Sequence, residues 1–157
     1  MSKINWGRLS LSIFIPLVAG FLGSLFTTPA VNSWYLTLNK PTWNPPSWLF
    51  APVWTTLFVL MGIALYIVWS QKMSGQVKAA LRIFAAQLFL NVLWSVFFFG
   101  VGNFWLAFVE IIILWIFILV TIIRFFKINR AAGWLLVPYI LWVSFASFLN
   151  LTIASLN

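Results

Sequence analysis

Residues 104–123 read FWLAFVEIIILWIFILVTII, twenty residues that include a single charged side chain, Glu110. A helix that crosses the hydrocarbon core of a membrane needs about 20 mostly apolar residues, so this stretch predicts a membrane span. Windows of the same size predict four further spans, each without Lys or Arg in its middle. The five predicted helices lie near residues 9–27, 48–70, 80–99, 104–123 and 134–154.

The composition of the whole chain indicates an all-α membrane protein. The 157 residues are 64% hydrophobic, 20% aromatic and only 6% charged, whereas a soluble domain carries about 25% charged residues. The length fits one domain, residues 1–157, and the short connections predict a five-transmembrane-helix bundle. The alternating ten-residue segments of a β-barrel do not occur.

Several kinds of chemistry are excluded because the chain has no Cys and no His. Their absence rules out disulfides, thiol nucleophiles, imidazole bases and ordinary zinc sites. Glu110 is the only acid, so neither a carboxylate pair nor a Ser-His-Asp triad can be built. We therefore expect no conventional catalytic residues, no metal site and no obligatory cofactor. A carboxylate within a span is a functional candidate, but Glu110 lies near the predicted outer end and is expected to reach water or Lys40.

The cations are distributed unequally over the two sides of the predicted bundle. Lys40 alone lies on one side, and the other eight lie on the opposite side. Because cytoplasmic loops retain Lys and Arg, the N-terminus is predicted to be cytoplasmic and the C-terminus outside if the membrane is a bacterial inner membrane. This topology and the anionic headgroups explain the net charge of +8, so no nucleic-acid partner is predicted. The eight cations are Lys3, Arg8, Lys72, Lys78, Arg82, Arg124, Lys127 and Arg130.

The first span has two interpretations. Lys3 and Arg8 precede its apolar run and Thr28-Pro29-Ala30 follow it, a pattern also found in cleaved signal peptides. The apolar stretch is long for a signal peptide, which favours a retained helix. The mass of the intact protein distinguishes the two.

The connection over residues 28–47 reads TPAVNSWYLTLNKPTWNPPS and is the only long one on the outer side. Its prolines restrict the backbone, and its aromatic residues supply large amphipathic surfaces. Such a loop is typical of a lid over a binding site. Aromatic residues also gather at membrane interfaces in general, and the two interpretations are compatible. The residues concerned are Trp34, Tyr35, Pro41, Trp43, Pro45 and Pro46, with Trp48 directly after the loop.

Polar residues within the third and fifth spans follow helical spacing. Gln87, Asn91 and Ser95 share one helix face, and Ser144, Ser147 and Asn150 share another. Polar side chains within a membrane face other helices or a cavity. These two stripes are interpreted either as hydrogen bonds between helices or as the polar groups that orient a ligand. Pro16 and Pro138 are predicted to bend the first and fifth helices and so to widen one end of the bundle.

Ordered motifs along the chain resemble the translocator protein family (TspO/MBR), also called tryptophan-rich sensory proteins and peripheral-type benzodiazepine receptors. The motifs are WY at 34–35, NKP at 39–41, WNPP at 43–46, LNVLW at 90–94 and PYILW at 138–142. The resemblance covers essentially the whole chain. It implies a five-helix bundle, usually a homodimer, that binds porphyrins such as protoporphyrin IX or haem in a pocket under the first loop.

By matched motif position, the resemblance implies a ligand-binding set of loop and helix residues. Tyr35, Trp43, Pro45 and Pro46 come from the loop, and Trp54, Gln87, Asn91, Trp142 and Ala146 come from the helices. We expect the macrocycle to insert between Trp54 and Trp142 with its carboxylates toward Lys40, the only cation on that side. Without His or Cys, metal-free protoporphyrin should bind about as well as haem.

The function expected from this resemblance is that of a membrane sensory or regulatory protein that binds a tetrapyrrole. Two alternatives stay open. One is a transporter of porphyrins or other amphiphilic molecules, and the other is a protein that degrades porphyrin under light. The family's sterol motif would need a cation shortly after Tyr139, and none follows.

Overall fold

The computed structural model describes residues 4–157, so Lys3 of the charge pattern lies outside the described residues. The described part contains five helices that are long and apolar enough to cross a membrane, and no strand. The predicted five-span, all-α architecture is therefore confirmed. The helices are α1 (Trp6–Val31), α2 (Phe50–Trp69), α3 (Gly75–Ser95), α4 (Phe104–Ile128), α5 (Arg130–Leu135) and α6 (Val137–Leu156).

The helices extend beyond the predicted apolar windows. Asn5, Ser74, Asn103 and Asn129 cap the N-termini of α1, α3, α4 and α5, and each side chain accepts a hydrogen bond from a backbone N–H of the first turn. Polar residues between a cap and the membrane are thus helical although a hydropathy window leaves them out. For this reason the predicted starts at residues 80 and 134 were five and four residues late.

The fifth span is two helices. α5 ends at Leu135, and α6 begins at Val137, which places Pro138 in the first turn of α6. A first-turn proline loses no intrahelical hydrogen bond, because the N–H groups at that position have no partner in the helix. The prediction of a bend inside a continuous helix is wrong for Pro138, whereas Pro16 does lie inside α1.

The third span ends in a π-helical segment, which is wider than an α-helix. Val96–Val101 form a π-helical segment that continues α3, and Gly102 follows with a φ of 70°. This left-handed conformation is favourable for glycine and ends the helix. The connection between the third and fourth spans is therefore short, as predicted.

The helices form a ring around a buried core. α1 packs against α2 and α3, α4 packs against α3 and α6, and α2 closes the ring through the short α5. Fully buried side chains fill the middle, among them Met61, Val68, Ile118 and Val143. α2 and α6 have few close backbone contacts, and aromatic side chains pack between them, Phe50 against Trp142 and Trp54 against Tyr139.

Gly62 allows α1 and α2 to approach closely. A Cβ atom at Gly62 would lie 2.5 Å from the Cα of Ile13 and 2.9 Å from the carbonyl oxygen of Ser12. Pro16 follows Ser12 by four residues and has no N–H to donate to the Ser12 carbonyl, so the usual helical hydrogen bond is absent there. α2 packs directly against the α1 backbone at this point.

Gly62→Ala is expected to destabilise the bundle by about 1–2 kcal/mol. Overpacking costs about 1–3 kcal/mol, and the better helix propensity of Ala offsets only part of it. Thermal unfolding in detergent measures the effect. Gly75→Ala is the matched control, since a Cβ at Gly75 would meet nothing within 4 Å. Equal stability of the two variants would contradict close packing at Gly62.

Candidate functional site

A cavity of about 380 Å³ lies between α1, α2, α3 and α6, next to the 32–47 segment. Its lining begins at Leu17 on α1 and at Phe58 on α2, beyond the close contact at Gly62. α4 contributes no lining residue, although it packs against both α3 and α6. Because α1 and α2 are in close contact at Gly62, the cavity between them is confined to the half of the bundle that carries the loop.

The mouth of the cavity lies between α1 and α2. Phe21 and Thr28 of α1 and Ala51 and Thr55 of α2 line the cavity and are also exposed on the outside of the bundle. Since both helices are membrane spans, the mouth faces the bilayer. An amphiphilic molecule dissolved in the membrane can reach the cavity by this route without crossing water.

Aromatic rings form the walls. Trp54 stacks on Phe58 along α2, with ring centroids 5.5 Å apart and an interplanar angle of 26°. On α6, Trp142 lies 5.5 Å from Phe145 and 6.4 Å from Phe50 of α2. Trp94 and Phe98 of the third span add a further wall. Such surfaces suit a flat apolar ligand, because aromatic faces stack on other π systems.

The indole N–H of Trp142 is a free donor at the cavity wall. It is buried and has no hydrogen-bond partner among residues 4–157. Buried donors are normally paired, and an unpaired one carries a desolvation cost of about 1–3 kcal/mol. The nitrogen atom itself is covered by neighbouring side chains, so a ligand acceptor would pair with it only after those side chains move.

Asn91 is one of the polar residues that line the cavity, and hydrogen bonds hold its side chain in place. Its Nδ2 donates to the hydroxyl of Tyr139 at 3.0 Å, and that hydroxyl donates to Oε1 of Gln87 at 2.9 Å. Tyr139 and Gln87 are almost completely buried. The three side chains join α3 to α6 and fix the orientation of the Asn91 amide, which lines the cavity.

The loop forms a roof that its own side chains stabilise. The hydroxyl of Tyr35 donates to Oδ1 of Asn44 at 3.0 Å, while the Nζ of Lys40 donates to the carbonyl oxygen of Tyr35 at 2.6 Å. Burial raises the pKa of Tyr35 to about 12. The Tyr35 hydroxyl is therefore protonated at neutral pH and remains a donor.

The roof is also tied to the end of α6. The backbone N–H of Asn39 donates to Oδ1 of Asn157 at 3.0 Å, and Nδ2 of Asn157 donates to the carbonyl oxygen of Asn39 at 3.0 Å. Trp43 rests on Phe145 with ring centroids 5.8 Å apart. The predicted ordered lid is consistent with these contacts, and the exposure of Trp48, 73%, also fits a membrane-interface role for part of the loop.

The structure brings half of the predicted ligand-binding residues to the cavity. Those that line it are Tyr35, Trp54, Asn91, Trp142 and Ala146. Those that do not are Lys40, Trp43, Pro45, Pro46 and Gln87. Trp43 lies behind Phe145, and Gln87 lies behind Asn91, so both support residues that do reach the cavity. Pro45 and Pro46 belong to the turn that leads into α2, where the Pro46 carbonyl accepts from the N–H of Leu49.

Lys40 is not placed to meet a ligand carboxylate. Its ammonium group donates to the carbonyl oxygens of Tyr35 and Leu36 and lies 4.8 Å from the centre of the Tyr35 ring. No Lys or Arg lines the cavity within the described residues. The expectation that carboxylates point toward Lys40 is therefore not supported, because this cation stabilises the roof instead.

The surroundings of Glu110 also differ from those predicted from the sequence. The residue is 4% exposed, and neither carboxylate oxygen has a hydrogen-bond partner in the described part of the chain. The predicted contact with water or Lys40 is wrong, because the side chain points into the bundle from α4. Glu110 also does not line the cavity.

Sequence reasoning missed the α1 side of the site. Gly20, Ser24 and Thr27 line the cavity, and a Cβ at Gly20 would overlap the ring of Phe58. The small-residue spacing of Gly20 and Ser24 was a usable signal, since small residues allow close helix contact. That spacing does not reveal whether the face meets a helix, a second chain or a ligand.

The described residues form five apolar spans, four of which enclose an aromatic cavity, and they define a multi-pass integral membrane protein. The model of the TspO/MBR family matches residues 12–156. The tryptophan-rich protein TspO of Chlorobaculum tepidum is 48% identical over 153 residues, 95% of each chain. The tryptophan-rich sensory protein of Cereibacter sphaeroides is 39% identical and covers 93% of this chain and 92% of its own. The translocator protein of Bos taurus is 35% identical over 87% of this chain and 82% of its own. The chain belongs to the TspO/MBR family.

Proposed function

We propose that the protein binds a tetrapyrrole such as protoporphyrin IX in the cavity and acts as a membrane sensory or regulatory protein. The observation that carries this proposal is the set of aromatic walls around Trp54 and Trp142, together with a small number of polar side chains, among them the Asn91 amide that Tyr139 holds in place. A mainly apolar pocket with a small number of fixed polar groups is typical of ligand sites.

The volume of the cavity and the position of its mouth determine where such a ligand would lie. The cavity of about 380 Å³ lies at the lower end of the range for small-molecule pockets, about 300–1,000 Å³. A macrocycle would therefore extend into the mouth between α1 and α2. Its carboxylates would lie there beside Asn32, Ser47 and Thr55, which are exposed and polar and line that side.

Binding is favoured over transport by the shape of the cavity. Beyond Phe58 the bundle interior is filled by Met61, Ala64 and Val68, which are fully buried. The described residues thus close the cavity toward the end of the bundle away from the loop, as suits a site that holds a ligand. The relative from Cereibacter sphaeroides is named a sensory protein, whereas the bovine one is named a translocator. Protein-dependent flux of protoporphyrin across vesicles would instead support the transport alternative.

Titration with protoporphyrin IX in detergent, followed by quenching of tryptophan fluorescence, tests the proposal. We expect saturable binding of one molecule per chain and at least a tenfold loss of affinity in Ala146→Phe, because the added ring occupies cavity volume. Ala131→Phe is the matched control, since Ala131 is exposed and outside the cavity. Unsaturable quenching, or equal affinity of the two variants, would reject the site.

A further inference from the structure

A second concave surface lies on the outside of the bundle, at the end away from the loop. This groove has a volume of about 580 Å³ and is formed by α1, α2 and α3. Its lining is hydrocarbon and indole throughout, and it includes Ile15, Leu22, Trp69, Leu81 and Val92. It shares no residue with the ligand cavity.

The length of the groove matches one leaflet of a membrane. Along α3 it extends from Leu81 to Val92, eleven residues, which corresponds to about 16 Å at a rise of 1.5 Å per residue. Half of the hydrocarbon core is about 15 Å thick. A helix of a second copy would cross both leaflets, so the groove has the dimensions of a lipid chain rather than of a whole neighbouring span.

Cations lie at the end of the groove that is farther from the loop. Arg8 donates from Nη1 to the carbonyl oxygen of Trp69 at 3.3 Å, and its guanidinium carbon lies 5.4 Å from the centre of the Trp69 ring. Trp69 itself lines the groove. On α3, Lys78 and Arg82 lie within one turn of Leu81, and both are exposed. Lys78 shares the face of Leu81 and Ala85, which line the groove.

These charges have no acidic neighbour. Glu110 is the only acid of the chain, and it is buried with no hydrogen-bond partner among the described residues. The single contact to Trp69 leaves most of the five N–H donors of Arg8 available. Arg and Lys next to a membrane attract anionic headgroups, and basic pockets between spans bind acidic lipids.

We propose that this groove binds an anionic phospholipid, with an acyl chain along α1 and α3 and the phosphate held by Arg8, Lys78 and Arg82. The proposal goes beyond the tetrapyrrole function and does not depend on it. The lipid occupies one leaflet. Its negatively charged phosphate lies at the end of the groove where Arg8, Lys78 and Arg82 are found.

Native mass spectrometry of protein released from nanodiscs tests the proposal. The nanodiscs contain dioleoyl-phosphatidylglycerol and dioleoyl-phosphatidylcholine in equal amounts. We expect the retained lipid to be enriched about tenfold in phosphatidylglycerol, and the variant Arg8→Gln/Lys78→Gln/Arg82→Gln to abolish the enrichment. The matched control Arg124→Gln/Lys127→Gln/Arg130→Gln removes the same charge from exposed residues that are not part of the groove and should retain it.

A second variant tests the apolar part of the groove independently of the three cations. Ala85→Trp fills the groove while leaving all three cations in place, and it should also lose the retained phosphatidylglycerol. Enrichment that persists in the charge variant, or that disappears equally in its control, would overturn the proposal. Ala85→Trp that abolishes a dimer while phosphatidylglycerol stays bound would overturn it in favour of a second copy of the chain.

Discussion

Replacing Trp142 by alanine is expected to weaken protoporphyrin binding about 30- to 150-fold. Trp142 provides a wall of the cavity between Phe50 and Phe145 and carries the free N–H. Removal of a central buried aromatic anchor typically costs about 2–3 kcal/mol of binding free energy, and each 1.4 kcal/mol corresponds to tenfold. The dissociation constant from fluorescence quenching or from the shift of the porphyrin absorption band measures the loss.

Trp142→Phe separates the wall from the donor. Phenylalanine retains most of the aromatic face and loses only the N–H, whose hydrogen bond would contribute about 1 kcal/mol, so a loss of about fivefold is expected. Trp6→Ala removes one indole from an exposed position, 70% exposed and outside the cavity, and should bind as the unmodified protein does. If Trp142→Ala binds as tightly as Trp6→Ala, the Trp142 side chain does not contact the ligand.

The spans could be predicted because burial in hydrocarbon acts on every residue of a segment at once. A run such as 104–123 leaves few alternatives, and the relevant helix, α4, contains all of it. The ends could not be predicted in the same way. They depend on single capping contacts, such as the hydrogen bond from the N–H of Val77 to the Ser74 hydroxyl, which a hydropathy window does not detect.

The site could be predicted in residue type better than in geometry. Trp54, Asn91 and Trp142 were expected and line the cavity. Lys40 was assigned to the ligand because it was the only cation on its side, but backbone carbonyls compete for an ammonium group and lie closer. Charge alone does not reveal this, since the competing acceptors are present at every residue and become relevant only after the chain is folded.

The polar stripes of the third and fifth spans had two interpretations, as hydrogen bonds between helices or as groups that orient a ligand. The structure shows which residues fit each interpretation. Asn150 accepts from the indole N–H of Trp94 and donates to the Phe104 carbonyl, so it joins three helices. Gln87 joins α3 to α6 through Tyr139. Asn91 and Asn150 do both, because each takes part in such a bridge and also lines the cavity. The stability of the bundle and the shape of the site therefore share one set of hydrogen bonds.

Tyr139→Phe is consequently expected to destabilise the protein by about 2–4 kcal/mol. A hydrogen bond between membrane helices contributes about 0.6 kcal/mol on average. Here one deleted hydroxyl leaves two buried groups unpaired, Nδ2 of Asn91 and Oε1 of Gln87, and each unpaired group costs about 1–3 kcal/mol. Titration with dodecyl sulfate from mixed micelles gives the free energy of unfolding.

Two comparisons make this prediction specific. Tyr66→Phe removes a hydroxyl that accepts one hydrogen bond, from the backbone N–H of Asn5 at an exposed site, and should cost less than about 1 kcal/mol. In Gln87→Leu/Tyr139→Phe the unpaired acceptor is gone as well, so the second substitution should add less than its separate effect, and the two costs should not be additive. Full additivity, or a cost for Tyr139→Phe no larger than that for Tyr66→Phe, would show that the two amides find other partners. The Asn91 amide would then not be braced for a ligand by Tyr139.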